Sequence, residues 1–82
     1  MSIRRTASAV ALPNYRILFA YADGEQRVFD MTPYLDKGIF RELQDPRVFG
    51  GVRPAFDTIE WPNGADVSPE LLLRDSHPAT RE

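Results

Sequence analysis

Residues 15–31 read YRILFAYADGEQRVFDM, two runs in which large apolar side chains alternate with smaller or charged ones around Asp23-Gly24. A period of two places every second side chain on the same face of a β-strand. Asp-Gly between two such runs is a signal for a hairpin turn. The stretch therefore predicts a β-hairpin with strands over 15–22 and 26–31.

The length of the turn decides which side chains share a face of this hairpin. A two-residue loop would put Ile17 opposite Asp30, whereas a three-residue loop with Gly24 in the left-handed conformation puts Ile17 opposite Phe29. The three-residue loop is favoured because it buries one coherent apolar face. Arg27 falls on the same face near the hairpin tip, where we expect it to reach solvent.

Outside the hairpin the chain alternates short strands and short helical turns. The pattern predicts strands over 8–12, 52–56 and 58–61, with a turn at Asp57 between the last two. It also predicts short helical turns that begin at the caps Thr32 and Asp45, a further helical turn over 39–43, and a last helix capped by Ser68. Pro54 cannot donate to a ladder, which makes its strand an edge or a bulge. The predicted fold class is α+β: a small, mostly antiparallel sheet of about four to five strands, with hairpins, packed against short helices.

Length and composition restrict the class of protein. Eighty-two residues make a single domain, with a core expected over 8–74 and flexible ends over 1–7 and 75–82. The chain has no Cys and one His, which excludes thiol catalysis, Cys-ligated zinc and paired-His metal sites. The longest apolar run has six residues, far too few for a membrane span. We expect a cytoplasmic protein with no cofactor, no metal and no membrane contact.

The densest group of candidate site residues is the run Trp61, Pro62, Asn63, Gly64, Ala65, Asp66. In one interpretation Trp61 lines a pocket or partner surface beside an exposed carboxylate. In the other, which is the more common arrangement, Trp61 is the main core aromatic, 62–64 form a tight turn, and Asp66 bonds the turn amides.

A second candidate site brings together three carboxylates. Asp30, beside Glu60 or Asp66, would form a cluster in which one pKa is raised, as a small-ligand site or a hydrolase requires. The structural alternative is that Asp30 caps a helix or pairs with an Arg at the surface.

The charge argues against direct nucleic-acid binding. Ten basic and twelve acidic residues give a net charge of −2, and the pI is about 5.3. Contact with nucleic acid through Arg4, Arg5 and Arg16 would then take place within a larger complex.

The chain resembles the small bacterial family called domain of unknown function 2442. The resemblance covers residues 10–74 and is carried by Asp23-Gly24-Glu25, 28–31, 38–40, Asp45-Pro46 and, most specifically, the run 61–66. It implies a small α+β fold and supplies no catalytic residues. Domains of this kind occur alone, sometimes ahead of a helix-turn-helix domain, and often beside another small gene. This chain has no room for such a helix-turn-helix.

The functional prediction is a non-enzymatic protein-binding or regulatory module, one half of a toxin–antitoxin-like pair. Its partner would be a protein encoded nearby, with a homodimer as an open alternative. The candidate interaction surface comprises Trp61, Pro62, Asn63, Gly64, Asp66 and Asp30. The alternatives are a small-ligand binder or hydrolase using Asp30, Glu60 and Asp66, and an accessory nucleic-acid contact.

Overall fold

The structure is a computed structural model and describes residues 4–79. Its strands and α-helices are β1 (Thr6–Leu12), β2 (Arg16–Tyr21), β3 (Gln26–Asp30), α1 (Pro46–Phe49), β4 (Arg53–Ala55), β5 (Thr58–Glu60), α2 (Pro69–Asp75) and β6 (His77–Pro78). Short 3-10 helices cover Pro13–Tyr15, Thr32–Tyr34 and Gly38–Gln44. Within residues 4–79, no helix has the length and apolar character that crossing a membrane requires.

The strands form two antiparallel sheets. The larger sheet has four strands in the order β1-β2-β3-β6, and the smaller sheet consists of β4 and β5. The α+β class is confirmed. The described residues form six strands, of which β6 was not predicted, and they are divided between two sheets instead of one.

The predicted hairpin register is confirmed. Ile17 lies opposite Phe29. The loop has three residues, because the Tyr21 amide donates to the Glu25 carbonyl at 2.9 Å, and Gly24 closes it with a φ of 97°. Since a shift of one residue would turn the apolar side chains to the other face, this loop length determines the core.

The core lies between the larger sheet and the short helices. Its largest fully buried side chains are Trp61, Phe19, Phe29, Ile17, Met31, Leu43, Ile59, Leu72, Val28 and Val67. All but Val28 belong to one contiguous cluster, and Ala9 and Ala11 of β1 pack against it. The odd-numbered side chains of the hairpin strands thus supply one wall of the core, as their alternation predicts.

The helix caps agree with the sequence at two of the three predicted positions. Asp45 and Ser68 accept hydrogen bonds from first-turn amides of α1 and α2 at 3.0 and 3.1 Å. Thr32 does not act as a cap. Instead, Asp30 Oδ1 accepts from the Thr32 amide at 2.9 Å, because Thr32 is already the first residue of the 3-10 helix. Asp30 therefore has the capping role that was its structural alternative.

The segment after residue 74 corrects two predictions. The segment was predicted to be a tail that begins at Asp75, but Asp75 is the last residue of α2. The residues after it form β6, which pairs with Arg27 and Val28 of β3. Arg27 is also not solvent-directed: its side chain is 14% exposed and donates to Ser76 Oγ at 2.6 Å and to the Ser76 carbonyl at 2.8 Å. The C-terminal segment covers this guanidinium and satisfies its donors. At the other end, β1 begins at Thr6, inside the predicted flexible stretch 1–7. Residues 1–3 and 80–82 of the predicted ends lie outside the described residues.

Two loops in the fold share one geometry. In the first, the Gly24 amide donates to the Tyr21 carbonyl at 2.9 Å; in the second, the Gly64 amide donates to the Trp61 carbonyl at 3.0 Å. An Asx side chain in each, Asp23 or Asn63, accepts from the amide two residues on at 3.0 Å. Both loops therefore follow the pattern aromatic-x-Asx-Gly, a three-residue turn closed by glycine at positive φ.

Replacing either glycine tests this shared geometry. Gly24→Ala and Gly64→Ala should each lower the free energy of unfolding by about 1 kcal/mol, because a Cβ disfavours the positive φ while meeting no atom within 4 Å. Asn tolerates positive φ better than Ala, so Gly64→Asn should recover part of the loss. Urea denaturation measures these values. Equal losses for Ala and Asn would contradict a conformational origin.

Candidate functional site

The run 61–66 lies where the structural interpretation placed it. Trp61 is 1% exposed, and its indole Nε1 donates to the Phe49 carbonyl at 3.0 Å. Its ring stacks on that of Phe49, with centroids 6.1 Å apart. Trp61 is thus a core residue, and its ring is not available to a ligand or partner in this conformation.

The rest of the run forms the turn and is mostly exposed. Pro62, Gly64 and Asp66 are exposed, and Asn63 is half-buried. The backbone amide of Ala65 donates to Asn63 Oδ1 at 3.0 Å, whereas Asp66 was predicted to accept from the turn amides. Asn63 reaches it because it lies inside the three-residue loop, whereas Asp66 lies beyond the loop as the backbone bridge partner of Glu60.

The three candidate carboxylates do not form one cluster. Glu60 and Asp66 are neighbours across the bridge, and Glu60 pairs with Arg53 at 2.7 Å. Asp30 ends β3 in the other sheet, where it bonds the Thr32 amide. Among residues 4–79, no group of three acidic or His side chains is arranged to hold a metal ion.

The three arginines considered for nucleic-acid contact do not share a surface patch. Arg16 lies opposite Leu12, at one end of the β1–β2 ladder, and Thr6 lies opposite Tyr21 at the other end, next to Arg4 and Arg5. The separation removes the continuous basic stripe that a backbone contact with nucleic acid requires.

Arg4 holds the start of β1 against the hairpin tip. Its guanidinium donates to Asp23 at 2.9 Å and to Glu25 at 2.5 Å, and lies 4.0 Å from the centre of the Tyr21 ring. The hydrogen bond from Arg4 holds the pKa of Glu25 below its ordinary value. The pKa of Asp23 is lowered too, mainly by the Glu25 backbone amide and then by Arg4. Arg4 is therefore engaged within the fold.

The tip of the β4–β5 hairpin displays an aromatic ring. Ala55 pairs with Thr58, so Phe56 and Asp57 form a two-residue loop. Phe56 has a φ of 59° and is 56% exposed. It was predicted to belong to the strand, with Asp57 alone as the turn; that is wrong, because the tight hairpin takes two loop residues. Positive φ is rare for a bulky side chain and is normally left to glycine.

Two further irregularities and a cation–π contact lie beside Phe56. The Thr6 amide donates to the Phe56 carbonyl at 2.7 Å, and the buried Thr6 hydroxyl has no hydrogen-bond partner among the described residues. The β1–β2 register shifts between Thr6 and Ser8, which marks a bulge. The Arg5 guanidinium lies 4.9 Å from the centre of the Phe56 ring. We call Arg5, Thr6 and Phe56 the tip cluster.

The tip cluster combines an exposed aromatic ring, an arginine and an irregular backbone. An exposed aromatic ring beside an arginine is a common composition for the residues that dominate binding energy at protein interfaces. Strained backbone and unpaired buried polar groups concentrate at functional sites, because a fold gains no stability from them. The cluster contains neither a nucleophile with a base nor converging carboxylates.

Sequence reasoning missed the tip cluster although one signal was present. Two predicted strands with a single residue between them cannot form a tight hairpin, so a second loop residue had to come from a strand end, either Phe56 or Thr58. The orphaned Thr6 hydroxyl and the bulge have no signature in the sequence, because both depend on how β1 meets the β4–β5 hairpin.

The fold and site define a small α+β domain without an assembled catalytic group among its described residues. The family model described as protein of unknown function (DUF2442) matches residues 6–78. The chain therefore belongs to this family, as the resemblance at 61–66 and the other motifs implied. Neither a curated protein nor a solved structure matches the chain.

Two substitutions at Phe56 test whether the backbone there is strained. Phe56→Ala and Phe56→Gly both remove the ring and its contact with Arg5, but only Gly relieves the positive φ. Phe56→Gly should therefore be more stable than Phe56→Ala by about 1 kcal/mol, the opposite of the usual order for a loop. Thermal and urea unfolding measure the difference. A more stable Phe56→Ala would contradict the strain.

Acid unfolding tests the role of Arg4. Because the pKa values of Asp23 and Glu25 are lowered in the fold, both carboxylates contribute stability above their ordinary pKa of about 4, and that stability is lost as the pH falls through the lowered values. Arg4→Gln should make the loss of stability below about pH 5 shallower. Urea titrations between about pH 7 and pH 3 measure it. Parallel curves would show that Arg4 does not set these pKa values.

Proposed function

We propose that this chain is a non-enzymatic protein-binding module that contacts its partner through the tip cluster. The observation that carries the proposal is Phe56, which keeps a bulky aromatic at positive φ with 56% of its surface exposed. Holding such a residue in this conformation costs about 1–3 kcal/mol. The fold would keep its hairpin with Gly at this position, so the ring is explained by a use outside the monomer.

Other exposed apolar side chains do not carry the same argument. Val10, Ile39 and Leu73 are 55%, 44% and 39% exposed, and their φ values are negative. Single exposed apolar residues are normal on protein surfaces. Phe56 is distinguished by combining exposure with strain and a stacked guanidinium.

In this proposal the contact runs from the tip cluster along the β4–β5 hairpin to the run 61–66 at its opposite end. Pro54 is exposed in β4, two residues before Phe56, and β4 pairs with β5, which leads into the run 61–66. Exposed Pro62, Gly64 and Asp66 extend the contact in this proposal. Trp61 supports it from within the core.

The finer form of the proposal follows the family resemblance. It places the module in the bacterial cytoplasm, in a regulatory pair of the toxin–antitoxin kind with a protein encoded nearby. The carboxylate site and the nucleic-acid site receive no comparable support, because their residues lie apart.

Quantitative affinity capture tests the proposed function. The tagged full chain, its Phe56→Gly variant and its Ile39→Ser variant are incubated with lysate of the source organism that also contains the untagged chain. We expect one protein, of any identity including the untagged chain, to be captured by the wild type in clear excess over a tag-only control. Its amount should fall about tenfold or more with Phe56→Gly.

Ile39→Ser is the matched control because it removes a similarly exposed apolar side chain from another part of the surface. It should retain the captured protein. The proposal fails if the wild type neither captures a protein in excess of the control nor self-associates, or if Phe56→Gly does so to the same extent as the wild type.

A further inference from the structure

We infer that the partner is a second copy of this chain, and that Phe56 of each copy inserts into an apolar cavity of the other around a two-fold axis. The inference rests on the proposed function, in which the tip cluster is a protein-binding surface. It adds the identity of the surface that receives the ring.

The cavity lies at the turn between β1 and β2. Its volume is about 270 Å³, and its walls include Leu12, Pro13, Tyr15, Pro46 and Phe49. The cavity is open to solvent on one side, so a side chain of another molecule can enter it. The Tyr15 and Phe49 rings meet edge to face at 5.1 Å, so an inserted phenyl ring would add a third aromatic to an existing pair.

The wall of the cavity is held in place before anything binds. Asn14 and Tyr15 both have positive φ, 66° and 59°. The Tyr15 hydroxyl donates to the Gln44 carbonyl, and the Tyr15 carbonyl accepts from the Met31 amide at 2.9 Å. These hydrogen bonds hold Asn14 and Tyr15 at positive φ, a conformation that their residue types disfavour. Because the wall is already ordered, binding a side chain in the cavity costs little conformational entropy.

The positions of ring and cavity suit a reciprocal contact. Phe56 is bonded to Thr6 at the first residue of β1, and Leu12, the last residue of β1, lines the cavity. Six residues of strand separate them by roughly 20 Å. A two-fold axis near the middle of β1 makes the two β1 strands antiparallel and brings each ring to the other copy's cavity. Such an interface is closed and self-complementary.

Charge is complementary in the same arrangement. Arg5 stacks on Phe56 and forms no ion pair with any described residue. Asp45 immediately precedes the cavity residue Pro46, and its present partner is Arg47, whose side chain is 92% exposed. The two-fold arrangement brings Arg5 of one copy towards Asp45 of the other. An interfacial pair of this kind favours the correct orientation more than it adds affinity.

Two inserted rings form a small interface, so we expect a weak dimer. Its dissociation constant should fall in the range of about 10–100 µM. Sedimentation velocity on the purified full chain, from about 10 µM to 1 mM, should show conversion of monomer to dimer. Phe56→Gly should weaken the dimer at least about tenfold, and Ile39→Ser should leave it unchanged.

Asp45→Asn tests the cross-copy pair without removing the helix cap, since Asn also caps. It should weaken the dimer about two- to fivefold at low salt and less at high salt. Backbone NMR locates the cavity without any substitution: the Asn14 and Tyr15 amides should shift with concentration in the wild type and not in Phe56→Gly.

The outcomes separate this inference from the proposed function. A wild type that stays monomeric at about 1 mM, a dimer insensitive to Phe56→Gly, a dimer that leaves the Asn14 and Tyr15 amides unshifted, or an open-ended polymer would each overturn the reciprocal dimer. If Phe56-dependent capture of another protein persists in any of these cases, the proposed function stands alone. If Phe56 affects neither self-association nor capture, both fail.

Discussion

The hydrogen bond from the Trp61 indole to the Phe49 carbonyl joins the residue after β5 to the end of α1. It ties the smaller sheet to α1, and the two rings stack where they meet. An indole N–H buried without a partner would cost about 1–3 kcal/mol. Because the chain has no Cys and so no disulfide, side-chain packing and bonds such as this one fix how the β4–β5 hairpin lies against α1.

That constraint explains why the run 61–66 is so distinctive in the sequence. Trp61 needs a neighbouring backbone that turns sharply so that its ring can point into the core, and Asn63 with Gly64 supply the turn. Gly51 belongs to the same arrangement: a Cβ there would come within 2.9 Å of the Pro62 ring. The most specific part of the sequence is thus accounted for by packing.

Local rules predicted most of the fold. The register of Ile17 with Phe29, the caps at Asp45 and Ser68, and both Gly-closed loops depend on residues close in sequence, where periodicity and turn chemistry are informative. The failures share a different cause. The fourth strand of the larger sheet and the burial of Arg27 depend on which distant segment lies beside a residue, and the local sequence does not contain that information.

The same distinction separates the two candidate surfaces. Residues 61–66 were recognisable because their types are unusual, and their types are unusual because the fold requires them there. Phe56 was overlooked because phenylalanine is an ordinary strand residue. It becomes anomalous only once its φ and exposure are known. A residue that satisfies the fold is weak evidence for function, whereas one that the fold tolerates at a cost is stronger evidence. By that criterion Arg5, Thr6 and Phe56 are the proposed binding surface, whereas Trp61 is explained by its place in the core.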